Sequence, residues 1–113
     1  MIAKNKRNHP RIASLNLVSY ICINEDGNLV SQGIGRTLNV GKDGILLETH
    51  VQIDSHHTVS LKIGFEEELV DINGQVVYSS AGEQGMFKTG IQFFKIDEPS
   101  LNILKKYINT FTA

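Results

Sequence analysis

Short segments of alternating apolar residues, separated by turn residues, dominate this chain of 113 residues. In the clearest of them, TVSLKIGF, every second position is apolar: Val59, Leu61, Ile63 and Phe65. Successive side chains of a β-strand point to opposite faces, so this period of two predicts a strand with one buried face. Ten glycines and a single helical pattern predict several such strands joined by turns.

Six segments fit this description of a strand. They are residues 14–23, 29–38, 45–49, 58–65, 69–80 and 86–96. Segment 69–80 could also be a hairpin that turns at Asn73-Gly74, but we favour one long bulged strand. Strands joined in sequential hairpins expose two edges, and closure into a barrel removes them. The sequence therefore predicts an all-β fold, a six-stranded antiparallel β-barrel.

The last segment, residues 97–111, has a helical period instead. Its apolar positions are Leu101, Leu104, Ile108 and Phe111, with Ile103 and Tyr107 alongside. Asp97 can cap the first turn, and Pro99 fits within that turn, where its missing N–H is not needed. We expect a C-terminal α-helix that packs on the barrel or covers its open end.

Length and composition limit the class of protein. The chain fits one domain, and a hydrophobic share of 41% is enough for an ordinary core. No stretch approaches the ~20 apolar residues of a membrane span, so we expect no membrane insertion. The single cysteine, Cys22, cannot form an internal disulfide, which fits a cytoplasmic protein.

Positive charge is concentrated at the start of the chain. Residues 1–24 carry four basic and no acidic groups, a charge of +4, whereas residues 25–113 carry seven basic and twelve acidic groups, a charge of −5. A protein that coats a nucleic acid polymer needs a basic face across the whole domain, so that partner is not expected. A small anionic ligand held by a few arginines fits this distribution.

The basic segment KRNHPRIAS places Pro10 between two arginines. Proline disfavours a helix here, so the sequence predicts an extended chain, in which Arg7 and Arg11 would be about 13 Å apart at ~3.3 Å per residue. A guanidinium pairs bidentately with phosphate and with the O6/N7 edge of guanine. We interpret residues 1–13 as a flexible basic segment before a domain of residues 14–113. A solvated basic tail is the alternative.

Two glycine-bearing segments also fit a ligand site. In LNVGKDGILLET, Asn39 can bond the backbone of its loop, and Gly41 and Gly44 allow positive φ and leave room for a ligand. In KTGIQFF, Gly90 lies within a strand, which marks a bulge or a close approach. Each segment alone fits a hairpin loop or a barrel corner equally well.

In this order and spacing, RxxxR, then NxGxxG, then GIQF before a terminal helix, the chain resembles the PilZ domain family along essentially its whole length. The resemblance implies a six-stranded split barrel with a C-terminal helix that serves as a bacterial receptor for the second messenger cyclic di-GMP. The family signature is RxxxR followed by [D/N]xSxxG. It implies that Arg7 and Arg11 hold guanine edges and phosphates, Asn39 meets a guanine, Gly44 shapes the loop and Gly90 lies near the ligand.

Two positions modify this expectation. Gly41 stands where the family usually has serine, and one lost hydrogen bond costs about 0.5–1.5 kcal/mol, up to roughly tenfold in affinity. Lys6 precedes the first arginine. The resemblance implies that the residue at this position selects whether one or two stacked ligand molecules bind. Binding of two molecules is therefore a hypothesis.

The resemblance also implies a mode of action. Ligand would bridge the arginines to the barrel and order the basic segment, which then signals to an unidentified protein partner in trans, in motility or exopolysaccharide regulation. No enzymatic activity and no cofactor are expected, and a homodimer stays open. The alternative is a PilZ-like adaptor that holds a protein partner without a ligand.

Other candidate sites are weaker. His56 and His57 are adjacent, so in a strand they point to opposite faces, and no third metal ligand has a recognised spacing. Cys22 lies among apolar residues, where a free cysteine is usually a small buried hydrophobe rather than a nucleophile. The strands show no basic and aromatic interleaving of the kind that binds RNA.

Overall fold

The computed structural model describes residues 11–112, without the side chain of Thr112. It contains seven strands and one helix: β1 (Arg11–Ala13), β2 (Leu17–Ile23), β3 (Leu29–Gly41), β4 (Gly44–Thr49), β5 (Thr58–Phe65), β6 (Glu68–Ala81), β7 (Phe87–Ile96) and α1 (Glu98–Thr112). Strands β2 to β7 form a closed antiparallel barrel, to which β1 adds one strand. The predicted fold class is confirmed.

Barrel closure depends on the length of β3. Its residues 29–36 pair with β2, and its residues 36–40 pair with β4. A register shift between Thr37 and Asn39 interrupts the second pairing, and such irregularities increase strand twist. The ring then runs β3, β2, β5, β6, β7 and β4.

One expectation about connectivity was wrong, because the strands do not all follow one another in sequential hairpins. Strand β4 pairs with β3 and β7, whereas β5 pairs with β2 and β6. Both edges of β4 are taken by the strands that close the barrel, so β5 has no free edge to pair with there. The connection 50–57 joins the two strands, and it buries Ile53 in the core.

Strand β6 is the long bulged strand that the sequence predicted. It runs unbroken from Glu68 to Ala81, with register shifts against β7 at Asn73/Gly74 and at Val76/Tyr78. A Cβ at Gly74 would lie 2.6 Å from Ile91 Cγ2 and 2.8 Å from the backbone oxygen of Gln92. Gly74 therefore permits a close approach of β7 and does not mark the alternative hairpin turn.

The N-terminal boundary differs from the predicted one. The first long strand begins at Leu17 rather than at residue 14, and Arg11–Ala13 forms β1 along the end of β3. Ile12 is 8% exposed and belongs to the core, which explains why this short segment pairs with the barrel. Residues 11–13, which the sequence assigned to the flexible basic segment, thus form a strand that pairs with the barrel. Lys6 and Arg7 lie outside the described residues.

Helix α1 packs on β1, β5 and β6. Leu104 and Ile108 are buried, and Ile103 and Tyr107 pack beside them. Phe111, which the period placed on the same face, is 55% exposed. The helix therefore covers the barrel through its middle turns.

The predicted cap of α1 is present. The backbone N–H of Ser100 donates to Asp97 Oδ1 at 2.8 Å, and the Ser100 hydroxyl accepts a bond from the backbone N–H of Asp71. We expect Asp97→Ala to lower the free energy of unfolding by about 1 kcal/mol, because the first turn loses this acceptor. Urea denaturation measures the change. The control Asp54→Ala removes an exposed loop carboxylate and should stay within about 0.5 kcal/mol; equal losses in both variants would argue against the cap.

Candidate ligand-binding site

The site begins with Arg11, which β1 places opposite Gly41 of β3. The Arg11 side chain is only 18% exposed. Its Nη1 donates to Asn39 Oδ1 at 2.9 Å, across 28 positions of the sequence. The β1–β3 pairing therefore brings together two of the residues that the sequence singled out.

Gly41 and Gly44 provide the space in which the Arg11 side chain lies. A Cβ at Gly41 would be 3.0 Å from Arg11 Cδ and 3.1 Å from both Cγ and Nε. A Cβ at Gly44 would be 2.9 Å from Arg11 Nη2 and would collide with the backbone oxygen of Ile91. A side chain at Gly44 would thus require β7 to shift, whereas one at Gly41 would require the Arg11 side chain to move by a few tenths of an ångström.

Gly41 and Gly44 do not adopt the positive φ that glycine allows. Among residues 11–112, the glycines with positive φ are Gly27 and Gly85, which lie in turns. Gly41 and Gly44 end β3 and begin β4, where the extended backbone continues up to the short connection between the strands. At Gly44 the close approach of β7, and not a turn conformation, accounts for glycine.

Gly90 lies beneath an aromatic ring. In the β6–β7 pairing it is opposite Tyr78, and a Cβ at Gly90 would collide with that ring. Tyr78 is 47% exposed. The expected close approach at Gly90 is therefore made by a side chain of the neighbouring strand, whose outer part is accessible to solvent.

Arg11, Asn39, Tyr78 and Gly90 line a cavity of about 210 Å³, whereas Gly41 and Gly44 do not line it. Its lining consists of Arg11, Asn39, Asp43, Ile45, Leu46, Val77, Tyr78, Gly90, Ile91 and Gln92. The cavity is smaller than the about 300–1,000 Å³ of typical small-molecule sites. The cavity could therefore hold only part of the cyclic dinucleotide that the family resemblance implies.

Sequence reasoning missed Asp43, Tyr78 and Gln92 in this lining. Asp43 lies inside the NVGKDG segment, so its position in the motif was a usable signal. Tyr78 and Gln92 come to the cavity through the β6–β7 pairing and its two register shifts. A single sequence does not reveal those shifts.

The cavity contains opposite charges. Arg11 Nη2 lies 4.0 Å from Asp43 Oδ1, and the Asp43 side chain is 41% exposed. The backbone oxygen of Asp43 accepts a bond from the N–H of Phe93 at 2.9 Å, which ties the β3–β4 connection to β7. Among the lining residues, Arg11 is the cation and Asp43 the anion.

The other candidate residues lie away from this cavity. Cys22 is fully buried, and burial raises the pKa of its thiol to about 11, so it is not a thiolate at neutral pH. Within the described part of the chain, no group of three His, Cys, Asp or Glu side chains could hold a metal ion. No helix in residues 11–112 is long and apolar enough to cross a membrane.

Comparison with known proteins identifies a matching family model. The family model described as PilZ domain matches residues 5–110, a range that includes both leading arginines and the Asn39 loop. No curated protein matches the sequence significantly.

Solved structures share the fold at low sequence identity. The inhibitor of motility MotI/DgrA from Bacillus subtilis has a TM-score of 0.75 at 14% identity over 96% of this chain, which spans about half (53%) of MotI. The PilZ domain of YcgR from Escherichia coli, solved with cyclic di-GMP, has a TM-score of 0.70 at 10% identity, covering 94% of this chain and 91% of that one. The PilZ domain of CeSA from a cellulose-synthesizing bacterium has a TM-score of 0.64 at 12% identity, covering 92% and 99%.

The family match and the observed fold both indicate the same family. The match extends over almost the entire chain, and the barrel with its terminal helix is the architecture of the PilZ structures that it resembles. This chain therefore belongs to the PilZ domain family.

Proposed function

We propose that this protein is a cyclic di-GMP receptor whose site is the cavity around Arg11 and Asn39. PilZ domains are binding and regulatory modules rather than enzymes, and a PilZ structure with this fold was solved with cyclic di-GMP. The observation that carries the proposal is the Arg11–Asn39 hydrogen bond in a cavity that also exposes an aromatic ring. The site comprises Lys6, Arg7, Arg11, Asn39, Gly41, Gly44 and Gly90.

Charge complementarity supports this ligand. Cyclic di-GMP carries two phosphates and hence about two negative charges, and residues 1–24 carry +4. The guanidinium of Arg11 can grip a phosphate or a guanine edge with two parallel N–H donors. Asn39 uses its oxygen to hold Arg11, and its amide N–H donors can meet an acceptor on guanine.

Tyr78 offers a stacking surface for a base. We expect Tyr78→Ala to weaken cyclic di-GMP binding about tenfold, because stacking on an aromatic side chain contributes roughly 1–3 kcal/mol per base. Tyr78→Phe should keep the affinity, since the ring remains. Phe94→Ala is the matched control, because Phe94 is an aromatic residue of β7, 60% exposed, that does not line the cavity. Calorimetry in which Tyr78→Ala binds as tightly as Phe94→Ala would remove Tyr78 from the site.

A calorimetric titration tests the function itself. Cyclic di-GMP should bind saturably, and cyclic di-AMP at least tenfold more weakly, because an arginine guanidinium pairs with the two acceptors O6 and N7 of guanine, whereas adenine has an amino donor in place of O6. Absence of saturable binding at millimolar ligand would refute the proposal. A stoichiometry of one ligand per chain would refute only the two-molecule hypothesis attached to Lys6.

Ligand binding would also produce the signal. Asn39 already holds Arg11 against β3, so the proposed ordering concerns the segment that carries Lys6 and Arg7. Ligand bridging that segment to the cavity creates a new surface, which an unidentified protein partner in the cytoplasm reads in trans. Segmental labelling that shows no change in this segment on ligand binding would contradict the ordering step.

A second candidate function is a ligand-independent adaptor. Exposed apolar side chains on the outer face of the barrel favour it, since Leu17 of β2 and Ile34 of β3 are 72% and 62% exposed. Large apolar surface at such positions is typical of protein interaction sites. The titration with cyclic di-GMP separates the two candidates.

A further inference from the structure

We propose that Asp43 is an internal competitor for Arg11 and sets the ligand concentration at which the site fills. This inference rests on the proposed function of the cavity. The carboxylate of Asp43 occupies the neighbourhood of the guanidinium that a phosphate of the ligand would use.

The contact between Asp43 and Arg11 is electrostatic and not a good hydrogen bond. Oδ1 of Asp43 and Nη2 of Arg11 are 4.0 Å apart, beyond hydrogen-bond distance. Within the part of the chain that the structure describes, this Oδ1 is buried and has no hydrogen-bond partner. The bond from Phe93 N–H to the Asp43 backbone oxygen fixes the residue at this place. The backbone therefore holds the carboxylate near Arg11, at a distance too long for a hydrogen bond between the two side chains.

A phosphate would make the better contact. Charge-assisted N–H···O bonds form at about 2.7–2.9 Å and are stronger than a charge pair at a longer distance. A dianionic ligand in the cavity would meet Arg11 and would also be repelled by Asp43. Since Asp43 is the anion among the residues that line the cavity, it opposes any anionic ligand there.

Arg11 does not need Asp43 to stay in place. Its Nη1 is bonded to Asn39 at 2.9 Å, and Gly41 lies against its aliphatic stem. Neutralising Asp43 should therefore leave the guanidinium where it is and remove the repulsion. If Asp43 instead positioned Arg11 for the ligand, its neutralisation would weaken binding, so the sign of the effect distinguishes the two roles.

The test compares the affinity for cyclic di-GMP of the wild type with that of Asp43→Asn, by calorimetry at low salt. We expect Asp43→Asn to bind about 3–10-fold more tightly, a modest gain because the side chain is partly solvated. Asp43→Ala should change the affinity in the same direction. Asp26→Asn, in the exposed 24–28 turn, is the matched control with the same change in net charge, and it should stay within about twofold of the wild type.

Each outcome of this comparison is informative. Tighter binding by Asp43→Asn, including binding where the wild type shows none, would support the competitor role. Unchanged or weaker binding by Asp43→Asn and Asp43→Ala, with a wild type that binds, would overturn the inference and leave the proposed function standing. An equal gain in Asp26→Asn would also overturn it, since net charge would then explain the effect. Failure of all variants to bind, with intact thermal unfolding transitions, would overturn the proposed function and this inference together.

Discussion

Replacing Arg11 by alanine is expected to weaken cyclic di-GMP binding at least about 100-fold while the protein stays folded. Arg11 supplies the guanidinium of the cavity, and each hydrogen bond from a charged group contributes about 1.5–3 kcal/mol. Two such bonds to a phosphate or a guanine edge account for a loss of this size. The fold should persist because the buried Ile12 and the backbone pairing of β1 with β3 remain in this variant.

Arg36→Ala is the matched control for this experiment. It removes the same charge from the outer surface, where Arg36 is 53% exposed and pairs with Glu48 at 2.7 Å. Its affinity should lie within about threefold of the wild type, whereas retained binding within tenfold by Arg11→Ala would contradict the site. Arg7→Ala should also abolish measurable binding, an expectation that rests on the sequence motif because Arg7 lies outside the described residues.

Gly44→Ala should damage both the barrel and the site. A methyl group there would collide with the backbone oxygen of Ile91 and would lie 2.9 Å from Arg11 Nη2. Backbone atoms cannot rotate away, so β4 and β7 must shift, and such overpacking typically costs about 1–3 kcal/mol. We expect this loss in the free energy of unfolding and at least a tenfold weaker affinity, because the guanidinium is displaced as well.

Gly64→Ala provides the comparison for Gly44→Ala. Gly64 also lies in a strand, has no positive φ, and a Cβ there would meet no atom within 4 Å. Its replacement by alanine should leave the free energy of unfolding unchanged or raise it by up to about 1 kcal/mol, because alanine lowers the conformational entropy of the unfolded chain. Denaturation and calorimetry of the two variants together check the account. Similar behaviour of Gly44→Ala and Gly64→Ala would show that the close approach at Gly44 is unimportant.

The fold was largely predictable because its elements carry strong local signals. The period of two in TVSLKIGF and the helical period after Asp97 follow directly from the geometry of strands and helices. Strand β1 was not predictable in this way, since three residues with one buried side chain, Ile12, show no period. The position of β4 between β3 and β7 was also not predictable, because it depends on how the barrel closes and not on local sequence.

The site was predictable only in part. The resemblance to the PilZ signature singled out Arg11 and Asn39, and the β1–β3 register places them in hydrogen-bond contact. It did not indicate that Gly41 lies in close contact with the side chain of Arg11. Tyr78 was missed because its place opposite Gly90 depends on a register shift between β6 and β7. Contacts across strands depend on such shifts, which a residue pattern within one strand does not encode.

The most direct test of the account is an amide NMR titration of the ¹⁵N-labelled protein with cyclic di-GMP. We predict saturable shifts of the Arg11 Nε–H, the Asn39 side-chain amide and the Gly90 backbone amide, with little change at Cys22 and Val59, which pair on the β2–β5 wall. Shifts confined to other parts of the barrel, or no shifts at millimolar ligand, would contradict the claim that this cavity binds cyclic di-GMP.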